Sequence, residues 1–148
     1  DPTTKEFYWF CTYEKKGGGG TTEPRRIEPL PLLDRDGKEV KWNLIDRFRA
    51  NLLPLPERVD GDACKVYLQR REGWKQLKEM MKQKEGSNLV PYSFRHYYSL
   101  RGHIAGIDSG SMASSMGHSI EAHHRAYPYS SKASTTNAFK QARERLIA

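Results

Sequence analysis

The chain has 148 residues, 36% of them hydrophobic, and carries 25 Lys and Arg against 18 Asp and Glu, a formal net charge of +7. That length suits one domain with a real core and is short for two ordinary domains. No run approaches the roughly 20 apolar residues that span a bilayer, the opening DPTTKEF lacks the basic-then-apolar order of a signal peptide, and Cys11 and Cys64 stand far apart without CxxC or Cys/His zinc spacing. A membrane span, a disulfide scaffold and a structural metal are therefore not expected. A cytoplasmic, nucleoid-associated protein is. The excess of positive charge favours a polyanionic partner, nucleic acid foremost, because long-range attraction to phosphates speeds encounter and makes binding salt-dependent.

In chain order, residues 6 to 13, EFYWFCTY, are aromatic and β-prone, KKGGGGTTEP is a flexible turn, and RRIEPLPL resumes in extended form until its prolines end it. This predicts a β-hairpin over about 6–31 with a long basic tip. Leu44, Ile45, Phe48 and Leu52 fall at helical spacing, and Pro54 and Pro56 stop the pattern. Residues 62 to 83 repeat the signal through Cys64, Tyr67, Leu68, Trp74, Leu77 and Met81, diluted by Gly73, which predicts one helix whose Trp and Met positions pack in the core. From Ser93 the positions Phe94, Tyr97, Tyr98, Ile104 and Ala105 again follow a period near 3.6, with Ser93 as cap and Arg95 in the first turn.

A short helix from about Ser109 to Met116 would bury Met112, Ala113 and Met116 and end on a left-handed Gly117. His118 follows at once. Ser119 suits the cap of another short helix running toward Tyr127, where Pro128 stops it. The segment SSKASTT reads as polar and loose, and residues 136–147 as a small terminal helix through Phe139, Ala142 and Leu146. The fold class expected is mainly α with a small antiparallel β-sheet, in a single domain over 1–148 with a helical part at about 43–127 and a tail at 130–148.

The residues with chemical potential are Arg95 in PYSFRH, His118 in MGHS and Tyr127 in SIEAHHRAYPY. They supply a planar cation able to donate two hydrogen bonds to a phosphate, an imidazole that titrates near neutrality, and a phenolic nucleophile. Arg95 precedes His118 by 23 residues, and Tyr127 follows nine later. The string SFRH, then MGHS, then a tyrosine at that distance resembles the catalytic part of tyrosine recombinases of the phage integrase family, whose pattern is H-x-L-R-H, L-G-H-S and a tyrosine about nine residues on. The resemblance covers about residues 5–130 and is strongest over 91–127.

The resemblance implies the recombinase catalytic-domain fold and a site-specific recombinase or integrase that breaks and rejoins DNA strands. Tyr127 would attack the scissile phosphorus to give a 3′-phosphotyrosyl link and a free 5′-hydroxyl, so the bond energy is kept and no cofactor is required. Arg95 would hold the non-bridging oxygens, where fixed cations meet the charge of the transition state. His118 would hydrogen-bond the phosphate or assist proton transfer. The family also places at the hairpin tip a lysine that protonates the leaving oxygen; Lys16 fits that place, with Lys15 beside it. A P-loop would need GxxxxGK and a following helix, which the GGGG run lacks. Recombination in the family takes four protomers on two DNA sites with exchange of carboxy-terminal segments, a role for residues 130–148.

The pattern is departed from twice. The histidine three residues before the arginine is Tyr92 here, able to donate a hydrogen bond but a poor acid or base near neutrality. The first arginine of the family precedes the hairpin and so would lie ahead of Asp1; Arg25 and Arg26 follow the hairpin tip and are not assigned to that role. A DNA-binding module or degenerate recombinase without cleavage, and a type IB topoisomerase-like enzyme, are the alternative functions. Tyr129 is the alternative nucleophile. His118, His123 and His124 bring no carboxylate or cysteine with them and adjacent histidines diverge on a helix, which argues against a metal. Tyr97 and Tyr98 read as core rather than as a base-stacking platform.

Overall fold

The computed structural model describes residues 3, 8–12, 22–53, 57, 60–128 and 130–147. In chain order its elements are β1 (Trp9–Cys11), β2 (Arg25–Ile27), α1 (Leu44–Arg49), α2 (Gly61–Gln69), α3 (Glu72–Glu85), α4 (Ser93–Ile104), α5 (Ser109–Met116), α6 (Ile120–Ala126) and α7 (Ser130–Ile147). The protein is thus mainly helical with a two-stranded antiparallel sheet, the α+β class expected. Two compact units are distinguished, one from residues 1–42 and 98–148, the other from residues 43–97.

In the first unit the predicted hairpin is present, with Trp9 opposite Ile27, Phe10 opposite Arg26 and Cys11 opposite Arg25. The tip with Lys15 and Lys16 lies outside the described residues. The core cluster is Met112 and Met116 of α5 with Tyr127, and Tyr98 and Ile107 pack against it. Helix α5 begins at Ser109 as expected, where the structure adds a cap, the Asp108 carboxylate accepting from the Ser111 backbone N–H at 2.9 Å, and it ends on Gly117 at φ 74°. Ser119 likewise caps α6, its hydroxyl accepting from the Ala122 N–H at 3.2 Å. These caps satisfy backbone donors that a helix end leaves unpaired.

Two expectations need correction here. The tail SSKASTT is not loose: α7 starts at Ser130 and runs 18 residues. Pro128 stops α6 but imposes nothing on the residues after it, and Ser and Thr cost only tenths of a kcal/mol each in a helix. The face of α4 is also different, since it buries Ser99, Gly102 and His103, while Phe94, Tyr97 and Ile104 are exposed. The reason is close approach. A Cβ on Gly102 would meet the Met112 sulfur and come within 2.8 Å of its Cε, so a small residue there admits the Met112 side chain.

In the second unit, the single helix expected over 62–83 is two, α2 and α3, divided at Arg70 and Arg71. Arg71 is extended at φ −96° and ψ 124°. The cause is visible in the spacing, because at about 100° per residue the group Cys64, Tyr67 and Leu68 and the group Trp74, Leu77 and Met81 lie about 100° apart on a continuous helix. Breaking the helix lets the second group turn independently. Among the described residues of this unit Trp74 is the buried one, 5.6 Å from the Phe94 ring, while Tyr67 and Leu77 are exposed. Helix α1 is shorter than its apolar pattern, ending at Arg49 and leaving Leu52 exposed.

Candidate functional site

His118 and Tyr127 are brought together by the α5–turn–α6 arrangement. Gly117 in the left-handed region reverses the chain after α5, His118 follows in the turn, and α6 then returns Tyr127 to the same place as its C-terminal cap residue. The two rings stack with centroids 6.0 Å apart and planes at 23°. The Tyr127 ring is buried at 7% exposure, as part of the core cluster. His118 Nδ1 lies 3.4 Å from the Ser119 carbonyl oxygen. A proton on Nδ1 donated to that carbonyl leaves Nε2 with a lone pair, the form of imidazole that accepts a proton.

Beneath these two rings lies a pair of histidines with no place in the sequence pattern. His103 of α4 and His123 of α6 are 2% and 0% exposed, and their Nε2 atoms are 2.8 Å apart. His123 stacks on His118 at 5.1 Å and meets the Tyr127 ring at a tilt of 43°, with centroids 4.9 Å apart. Burial holds the His103 pKa below its ordinary value of 6.5, against opposing effects of the Ile107 backbone and Asp108. The unfolded chain then binds more protons than the folded one as pH falls below 6.5, so stability that is complete above that pH is lost on acidification. We predict that denaturation midpoints fall between pH 7.5 and pH 5.5 and that the decline is reduced in His103→Gln. An equal decline in both proteins would refute this assignment.

Arg25 was set aside by sequence reasoning and the structure places it against this turn. Its Nε donates to the Ser115 carbonyl and its Nη1 to the Thr22 hydroxyl, both at 3.0 Å. A Cβ on Gly117 would lie 2.7 Å from Arg25 Cζ. Tyr98 ties the same region together, its hydroxyl donating to the Glu28 carbonyl at 2.9 Å and lying 3.0 Å from Ser115 Oγ. Gly117→Ala is therefore expected to lose about 1–2 kcal/mol from left-handed strain alone, with more from displacing the guanidinium. An unchanged denaturant midpoint would remove Gly117 from this role.

The other predicted residues belong to the second unit and to the hairpin tip. Arg95 is half-buried in the first turn of α4, as its spacing predicts. Tyr92 precedes that turn, is 57% exposed, and makes an edge-on contact with His96 at 5.2 Å. Lys16, Lys15 and Tyr129 lie outside the described residues. Among the described residues no group of three or more His, Cys, Asp or Glu is placed to hold a metal ion, and no helix is long and apolar enough to cross a membrane.

His103 and His123 are the members that sequence reasoning missed. His123 was weighed there as a metal ligand, and His103 carries no local signal at all, since its partner is 20 residues away on another helix. Comparison with known proteins adds nothing to this geometry: no protein-family model, no curated protein and no solved structure matches the chain.

Proposed function

We propose that this chain is the catalytic domain of a site-specific DNA recombinase of the tyrosine type, with the fold of that family, acting on double-stranded DNA through a 3′-phosphotyrosyl intermediate. The observation that carries this reading is the stacking of His118 on Tyr127 across the Gly117 turn. It joins the two residues that the sequence pattern separates by nine positions. The net charge of +7 supports a polyphosphate substrate.

In the proposed reaction the Tyr127 oxygen bonds to phosphorus as the bond to the 5′-oxygen breaks. His118, with Nδ1 directed at the Ser119 carbonyl, takes the phenolic proton on Nε2. Arg95 neutralises the non-bridging oxygens by a bidentate contact. Lys16 protonates the leaving 5′-oxygen, and Tyr92 donates a hydrogen bond to the phosphate in place of the family's histidine. In the complete reaction four protomers act on paired sites, with the carboxy-terminal segment containing α7 docking on a neighbouring protomer.

Burial of Tyr127 favours a second reading, a module that binds DNA without cutting it, because a nucleophile packed against Met112 and Met116 must be released before it reaches a phosphorus. A nicked suicide duplex separates the two. Cleavage traps a covalent protein–DNA adduct stable to denaturant, whereas binding alone leaves none.

A further inference from the structure

We propose that His103 and His123 form a buried proton-sharing pair that positions His118 and Tyr127, so that the order of the two site rings follows the protonation of the pair. The inference begins with a constraint on protons. Two ring nitrogens 2.8 Å apart accommodate one hydrogen between them: one nitrogen donates and the other accepts. The neutral pair and its monocation both meet this condition. The dication does not, because it would set two N–H groups against each other in a site where both side chains are at most 2% exposed.

Acidification therefore has a structural outcome, separation of the rings. His123 is the link to the site, since its ring lies against both His118 and Tyr127 and shares α6 with Tyr127. Movement of His123 displaces its stack on His118 and its tilted contact with Tyr127 at once. The titratable groups that bear on the pair are His124 on α6, Asp108 at the start of α5, His118 in the turn and Tyr127 at the end of α6. His124 opposes a proton on His103 and Asp108 favours it. The Asp108 carboxylate is occupied by the Ser111 hydroxyl at 2.6 Å and the Ser111 N–H at 2.9 Å, which hold its pKa below the ordinary value of 3.8 and keep it charged throughout the range in which the histidines titrate. The packing from α5 is otherwise apolar, through Met112 and Met116.

His103 and His123 are thus positioning residues, and their catalytic meaning rests on the DNA-cleavage reading above. The test uses the intact protein with 13C-labelled histidine and tyrosine rings, followed by NMR from pH 8 to pH 5. The His118 and Tyr127 ring signals are expected to shift with the same midpoint as the His103–His123 pair, and to lose that component in His103→Gln, which keeps a hydrogen-bonding side chain but does not titrate. His118 and Tyr127 signals with the same pH dependence in wild type and His103→Gln would overturn the proposal. Adduct formation on a suicide duplex supplies the second readout. His103→Leu is expected to slow it on the order of 10²-fold, the scale of loss when a reacting group is misplaced by about 1 Å, with DNA affinity unchanged, and His103→Gln to flatten its acid limb. Coupled ring signals in a protein that forms no adduct at any pH would support the pair and sink the cleavage reading alone.

Discussion

Replacing Tyr127 with phenylalanine is expected to abolish the covalent protein–DNA adduct while leaving the fold intact and DNA affinity close to that of the unaltered protein. The change removes one oxygen atom. The ring that packs against Met112, Met116, His118 and His123 is retained, so the core cluster, the His118 stack and the tilted His123 contact survive. Loss of the adduct is then a loss of the nucleophile and not of the fold, a separation that alanine would not provide, since deleting a buried aromatic side chain costs about 3–5 kcal/mol. Tyr129→Phe serves as the companion experiment and should leave the adduct intact. An adduct that persists in Tyr127→Phe and disappears in Tyr129→Phe would move the nucleophile two residues along the chain and detach it from the His118 stack. No adduct with the unaltered protein would favour the binding module.

The second large effect concerns Arg95. Arg95→Lys is expected to reduce the rate of adduct formation by about 10²–10³-fold, the scale of losing one preorganised donor to a developing oxyanion. The charge is conserved in this substitution, and what is lost is the planar fork that meets two phosphate oxygens at once. Affinity for DNA should weaken far less than the rate, because a domain of net charge +7 retains the bulk of its attraction to phosphates. The two quantities are measured separately, the rate by single-turnover trapping of the adduct and affinity by titration at fixed salt. Equal losses in both would make Arg95 an anchoring contact without a share in the chemical step.

These two residues also mark the reach of the sequence pattern. Arg95, His118 and Tyr127 stand out in the sequence through the resemblance of their strings and spacing to the recombinase pattern, and the local placement of each follows from its neighbours. Tyr92 and Arg95 stand at the start of α4, and the Asp108 cap, the left-handed Gly117 and the Ser119 cap place His118 and Tyr127 around one turn. Each of these devices acts within about four residues, which is why Gly117 and Ser119 are legible in the sequence; the Asp108 cap is added by the structure. The expected apolar stripe of α4 failed for the complementary reason. Periodicity ranks residues by hydrophobicity, but burial on α4 went to Ser99, Gly102 and His103, whose small size or hydrogen-bonding suits the approach of Met112 and His123.

By itself, then, the sequence determined the α+β class, the presence of a hairpin and the positions of α5 and α6, because capping, left-handed glycine and turn-forming residues are local physics. Only the tertiary structure decided that Arg25 lies against Gly117 with its Nε on the carbonyl of Ser115, 90 residues away, that the Nε2 atoms of His103 and His123 meet 2.8 Å apart beside the two rings, and that α2 and α3 part with Trp74 buried. Those arrangements depend on which faces meet when elements distant along the chain pack together. A long-range hydrogen bond leaves no period, cap or turn signal in the residues on either side of it.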